Sequence, residues 1–440
     1  MESIWKKTAQ LPQFPTLEES VHTDVLIIGG GLSGLLTACL LKEAGIRCLL
    51  VEAGRICSGA THNTTAKITS QHGLIYHKLL RQGGRERAAA YLSANQQALA
   101  EYRRLAEGID CAFTQADNVV YSLDDREKVL REAEALAELG FDAEYSEQTG
   151  LPFAVAAALR FPQQAHFQPL QFAAGIAQHL HIYENTPVHG IRLGQGSMTA
   201  DCGRVKISAE NIIIATHFPF INRRGGYFLK MYQMRSYLLA LKNAAPVDAM
   251  YVDEADDGLT FRNFGDMLLF GGGGHRTGKQ GMAWDELEAI ARGWYPQLEV
   301  AARWANQDCI TLDRIPYIGR YSPATPQLFV ATGYNCWGIS SSMAAALLLR
   351  DLLLGRENAA AQLFDPARSI LKPQLLVNAA ESTLNLLIPT TRRCPHLGCA
   401  LKWNEAEQSW DCPCHGSRFT KAGKLINNPA NHDWYKAPRA

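Results

Sequence analysis

The stretch DVLIIGGGLSGLLTACLLKEAGIRCLLVEAG, residues 24–54, limits what this chain can fold into more than any other. Asp24–Ile28 predicts a buried strand, Leu32–Ala44 a helix stopped at Gly45, and Cys48–Glu52 the next strand. Gly29, Gly31 and Gly34 place G-x-G-x-x-G at the strand–helix junction. The first glycine permits a tight turn, the second a close approach to a pyrophosphate, and the third close helix–strand packing. Helix residues Leu32 and Ser33 then face the phosphates with the positive end of the helix dipole. Glu52 ends the second strand, with Ala53 beside it, where a carboxylate can accept hydrogen bonds from ribose hydroxyls. The glycine spacing alone is a weak signal. Strand, helix and distal acid together favour a dinucleotide site over a ligand-free glycine turn.

The second constraint lies near the other end. Residues 394–419, CPHLGCALKWNEAEQSWDCPCHGSRF, hold four cysteines and two histidines. Cys394-x-His396, fifteen residues, then Cys412-x-x-His415 can bind metal in two ways. A [2Fe–2S] centre would take two thiolates on one iron and two imidazoles on the other. A tetrahedral Cys2His2 zinc site would use the same four residues but has no need of Cys399 or Cys414. The other seven cysteines are scattered, as buried free thiols would be.

Composition excludes some partners. The chain has 440 residues with 43 basic and 43 acidic side chains, so no net field draws it to nucleic acid. The amino-terminal residues lack a signal-peptide core, and the apolar run Val25–Leu41 is broken by glycines and followed by Lys42 and Glu43. A buried strand-turn-helix fits it better than a membrane span. The expected location is cytoplasmic, without a transmembrane segment.

Helices are expected over 85–107 and 124–139, and GRVKISAENIIIATHF predicts a hairpin running into a buried strand. QLFVATGYNCWGISSS predicts a strand, a glycine turn at Gly333 and Gly338, and a helix from Ile339. That helix's amino terminus would stabilise negative charge on its ligand. Residues 358–383 are expected to be a linker.

Taken in order, the glycine fingerprint, GRICSGATHNTTAKITSQHG, ENTPVHGI, LDRIPYIGRY and LFVATGYNCWGISSS resemble the D-amino-acid-oxidase-like FAD-dependent oxidoreductases. That superfamily includes glycine oxidase, sarcosine oxidase and D-amino-acid dehydrogenases. The resemblance implies FAD held at Gly29, Gly31, Leu32, Ser33, Gly34, Glu52, Ala53, Thr64, Thr65, Val188, Gly333, Gly338 and Ile339. Some relatives attach FAD through a histidine at the position matching Asn63, one residue after His62, so the implied attachment is non-covalent.

CPHLGC and CPCHGS likewise resemble the two loops of a Rieske protein. This implies cluster ligands Cys394, His396, Cys412 and His415, and a Cys399–Cys414 disulfide as in cytochrome bc1-type members. Asn428-Pro429-Ala430 is similar to the loop that covers such a cluster. Phe419 stands where high-potential members have a tyrosine, whose loss lowers the potential, while Ser417 can keep the companion hydrogen bond.

The implied architecture is α/β. A Rossmann-type (GR2-like) FAD-binding domain (20–75, 151–234 and 306–357) carries an inserted antiparallel-sheet substrate domain (76–150 and 235–305). A small all-β Rieske domain follows at 384–440. The implied activity is oxidation of a C–N bond of an amine or amino acid, with electrons passing from FAD through the cluster to an external acceptor. Two alternatives stay open: the cluster feeding electrons to the flavin, and a redox-sensing or carrier module without turnover. Arg235, Tyr237, Tyr251, His275 and Trp337 are the candidate pocket residues, with Arg235 placed to clamp a carboxylate.

Overall fold

The computed structural model describes residues 2–194, 196–221 and 225–435. The fingerprint builds the centre of a parallel sheet. Strand Val21–Ile28 lies between Lys206–Ile214 and Cys48–Val51, parallel to both, and Leu328–Thr332 continues the sheet beyond Lys206–Ile214. Strands covered on both faces read as unbroken apolar runs, and Val25–Ile28 are all at most 5% exposed. Helices Leu32–Glu43 and Gly338–Leu353 pack together over this sheet. The carboxyl ends of the four strands lead into Gly29, Glu52, Ala215 and Gly333, at the edge where parallel sheets bind ligands.

A second sheet of nine strands lies across it, mostly antiparallel, with Glu299–Thr311 at its edge beside Met231–Lys242 and then Met267–Arg276. Strand Ala157–His166 pairs with Thr114–Ser122 in this sheet, although the sequence places 151–234 with the nucleotide-binding part. The run Tyr76–Ala106 is broken at Gly84 (φ 75°), and the expected helix is the part after that break; the other expected helix forms at Arg126–Glu138, where the Asp125 carboxylate accepts from Lys128 N at 2.9 Å.

Residues 358–383 are not a bare linker. They contain Ala361–Phe364 and most of a helix at Pro373–Leu387. That helix is inverted in its polarity, which hides it from a sequence reading. Asn378 and Asn385 face the protein, while Leu376, Leu384 and Leu387 are at least 63% exposed. The carboxyl-terminal sheet has four three-residue strands, Lys402–Asn404, Ser409–Asp411, Arg418–Thr420 and Leu425–Asn427. So small a sheet draws much of its support from the nine-stranded sheet beneath. No helix among the described residues is long and apolar enough to cross a membrane.

Candidate functional site: a cofactor cavity joined to a cysteine–histidine centre

The turn after the first strand leaves no room for side chains. A Cβ on Gly29 would lie 2.5 Å from Ala215 O, and one on Gly34 would lie 2.0 Å from Gly29 O. The Glu52 carboxylate accepts from Gly30 N at 2.7 Å and Gly54 N at 2.9 Å. Burial pushes its pKa up, those two N–H groups oppose the rise, and buried Glu184 nearby adds to it. Gly34→Ala should therefore yield a protein that purifies without flavin absorbance and melts well below wild type. A coloured Gly34→Ala protein of wild-type stability would refute this account of the turn.

Beyond the turn runs a cavity of about 720 Å³. Gly29, Gly31, Leu32, Ser33, Glu52, Ala53, Thr64, Val188, Gly333, Gly338 and Ile339 line it, as do His62 and Asn63. Gly34 acts behind it through packing, and Thr65 is not among its lining residues. Thr61, whose hydroxyl accepts from Leu32 N at 3.1 Å, and Tyr334, 2.6 Å from the Ser33 hydroxyl, also line it without any motif to announce them. Buried glycines at a helix start, a ribose-side carboxylate and an elongated cavity fit FAD.

The cavity continues around the edge strand Glu299–Thr311 to Asn427, at the end of the carboxyl-terminal sheet, and to Asn428 and Asn431 of the loop that follows it. There the two loops of the cysteine–histidine window come together. The rings of His396 and His415 are 4.9 Å apart, and the sulfurs of Cys399, Cys412 and Cys414 lie within 4.8 Å of one another. Thiol hydrogen bonds from Cys394, Cys399 and Cys414 hold Cys412 strongly toward its thiolate. His415 Nδ1 is buried without a hydrogen-bond partner, as an iron ligand requires. Ser417 is hydrogen-bonded to the Cys394 sulfur, and Phe419 packs in the apolar interior. These residues fit a [2Fe–2S] cluster. The expected Cys399–Cys414 disulfide is not present in this structure, where both residues are free thiols of the one sulfur group.

The second loop is gripped from below. Arg276 Nε donates to Pro413 O at 2.7 Å and its NH2 group to Cys414 O at 3.0 Å. Gln233 Nε2 donates to His415 O at 2.7 Å, and Gln307 Nε2 to Gly416 O at 2.8 Å. Four consecutive carbonyls are thus taken by side chains of the nine-stranded sheet. Asn428 fixes the covering loop to the nucleotide-binding part, donating to Thr216 O at 2.7 Å and Phe218 O at 2.8 Å.

The five expected pocket residues all have partners within the protein, and of them only Arg235 is among the residues lining the cavity. Arg235 borders the cavity but is ion-paired with Glu407 of the carboxyl-terminal sheet, so it is not a free carboxylate clamp. Tyr237 stacks on His275 and receives a 3.3 Å hydrogen bond from Asn404. His275 Nδ1 bonds Gly273 O at 2.8 Å. Tyr251 donates to Asp248 at 2.6 Å, away from the cavity. Trp337 stacks on His72 with ring centres 5.0 Å apart. On strand Met231–Lys242, Arg235 and Tyr237 share the face toward the cluster, while Met234 opposes Asp308 on the other face. The side chains the sequence did not single out, Asn306, Asp308 and Cys336, line the cavity. Arg314, paired with Asp256 at 2.5 Å, acts on Cys336 from behind.

The FAD dependent oxidoreductase family matches residues 24–352, and the Rieske [2Fe-2S] domain matches 370–438. The Bacillus subtilis (strain 168) protein YhfW, named by inference as a Rieske 2Fe-2S iron-sulfur protein, is 33% identical over 98% of this chain and 96% of its own. Glycine oxidase from Geobacillus kaustophilus shares the fold with a TM-score of 0.68 and 22% identity, over 79% of this chain and 99% of its own. L-Proline dehydrogenase from P. horikoshii does so with a TM-score of 0.67 and 18% identity, over 80% and 98%.

Proposed function

Since the chain belongs to the FAD dependent oxidoreductase family and carries a carboxyl-terminal Rieske [2Fe-2S] domain, we propose that it is a dehydrogenase oxidising the C–N bond of an amine or amino acid and sending the electrons through its cluster to an external acceptor. The observation that carries this reading is the single cavity lined by the glycine turn at one end and by Asn427 and Asn428 at the other. FAD supplies a two-electron hydride acceptor and the [2Fe–2S] cluster a one-electron carrier. Cys394, His396, Cys412 and His415 are the residues that would hold the cluster, and Gly29, Gly31, Glu52 and Gly338 would hold the dinucleotide.

The remaining work of the chain is positioning and desolvation. Trp304 donates to Asn63 O at 3.0 Å and closes the strand edge over the cavity wall. Gln233, Gln307 and Arg276 keep the cluster loop at a fixed distance from that wall. Two proteins that share this fold are named glycine oxidase and L-proline dehydrogenase, which favours an amino-acid donor.

Anaerobic mixing of the holoprotein with glycine, sarcosine, L-proline or D-alanine tests the reading. At least one should bleach the flavin without added reductant, and the rhombic EPR signal of a reduced Rieske cluster should follow. Bleaching by none of them, or bleaching that never reduces the cluster, would overturn it.

A further inference from the structure

Strand Glu299–Thr311 sends Gln307 toward the cluster loop and turns its neighbours Asn306 and Asp308 the other way, into the cavity wall. The Asp308 carboxylate accepts from Asn306 Nδ2 at 2.9 Å and from the Cys336 thiol. Cys336 is placed there by an unusual turn. Asn335 and Cys336 are consecutive non-glycine residues with φ of 53° and 72°, a conformation that costs energy and persists only where neighbours hold it. Asn335 supplies that hold through the strand residues just after Asp308. Its N–H donates to Cys309 O at 3.0 Å, and its Oδ1 accepts from Thr311 N at 2.8 Å.

The charged groups around Asp308 leave it without a cation of its own. Arg235, on the adjoining strand, is committed to Glu407, and Arg314, which reaches Cys336, is committed to Asp256. Among the described residues Asp308 forms no ion pair. A carboxylate held by an amide and a thiol, facing a ligand-sized cavity, is a receptor for a cation.

We propose that Asp308 receives the ammonium group of the substrate, resting on the amine reading above. The carboxylate pairs with R–NH3⁺ and takes one proton from it. One N–H bond breaks, one O–H bond forms on Asp308, and the amine keeps its lone pair; no electron changes hands. A neutral amine is the form from which a hydride can leave the adjacent carbon. Burial raises the Asp308 pKa to about 6, with Arg235, Asn306 and Cys336 opposing the rise. Below that pH the group is neutral and cannot pair with a cation; above it the carboxylate is present.

The probe is α-aminoisobutyrate, which carries the ammonium group but no hydrogen on its α carbon and so binds without being oxidised. Calorimetry on the FAD- and cluster-loaded protein should show affinity falling about tenfold per pH unit below about pH 6 and levelling above it. Asp308→Asn should bind about tenfold to hundredfold more weakly at neutral pH, with a flat profile, and Asp308→Glu should recover part of the loss. The Asn variant should melt no lower than wild type, because a buried carboxylate has been removed, which separates lost binding from misfolding. The same profile is read from the flavin-bleaching rate with whichever amine bleaches it.

If Asp308→Asn keeps wild-type affinity and pH dependence for a protein that amines do bleach, the assignment of Asp308 is wrong while the amine reading stands. If no amine bleaches the flavin but α-aminoisobutyrate binding still depends on Asp308, cation recognition stands and the oxidative reading falls. Absence of both overturns both.

Discussion

Glu407→Ala is expected to lower stability by about 3–5 kcal/mol and to release the cluster domain from the sheet beneath it. Glu407 sits between two guanidiniums. Arg235 Nε donates to its Oε1 at 3.0 Å, and Arg418 NH2 lies 2.8 Å from its Oε2. Arg418 also pairs with Asp411 at 2.9 Å. The side chains of Arg235, Arg418 and Asp411 are at most 5% exposed, so removing Glu407 leaves two buried cations with one anion. Burial of an ion pair adds little net stability, but breaking one strands a charge.

The pH dependence has a definite sign. Burial pushes the Glu407 pKa up, and Arg235 and Arg418 more than reverse this, leaving it below the usual value. The contribution is therefore present above the unfolded pKa of about 4.3 and disappears as pH falls through the lower folded value. Denaturant unfolding of wild type and Glu407→Ala should differ most near neutrality and converge in acid. Glu407→Gln, which can keep hydrogen bonds but not the charge, should fall between them. Equal stability at neutral pH would mean that the interface is held by the carbonyl clamp alone.

What the sequence revealed and what it hid follow from how tightly chemistry fixes each residue. Gly34 is legible because a backbone oxygen 2.0 Å from any Cβ leaves no substitute. The Cys–His window is legible because thiolates and imidazoles at that spacing have few other uses. That Arg235 is paired with Glu407 could not be read from the sequence, because Met231–Lys242 is covered on both faces. Eleven consecutive residues before Lys242 show no polar–apolar alternation in burial, so nothing in the string says which parity meets the carboxyl-terminal sheet. Asp308 is one of two acids in EVAARWANQDCIT, preceded by two amides, and it acquires meaning only when Cys336 folds onto it. The helix at 373–387 was hidden for the opposite reason, since its leucines point outward and its asparagines inward.

Arg276→Leu should lower the potential of the cluster and weaken its retention. The guanidinium donates to Pro413 O and Cys414 O, the two carbonyls between the proposed ligands Cys412 and His415, and to Asn378 Oδ1 at 2.9 Å. It also lies 4.6 Å above the Tyr232 ring. Its positive charge depresses the His415 pKa alongside the larger effect of burial, so the field of Arg276 reaches a proposed cluster ligand. Reduction adds an electron to the cluster, and a nearby cation favours that state. Losing about 1–2 kcal/mol of such an interaction corresponds to roughly 40–90 mV for a one-electron couple, in the negative direction. The leucine also strands two carbonyls, at about 1–3 kcal/mol each, which should show as reduced iron content. Arg276→Lys separates the two effects: it keeps the charge and loses the two-carbonyl fork. A redox titration followed by EPR should therefore place the lysine variant near wild type and the leucine variant well below it. Equal potentials for all three proteins would make Arg276 a mechanical clamp, and the tuning of the cluster would then fall to Ser417 and to the apolar surroundings of Phe419.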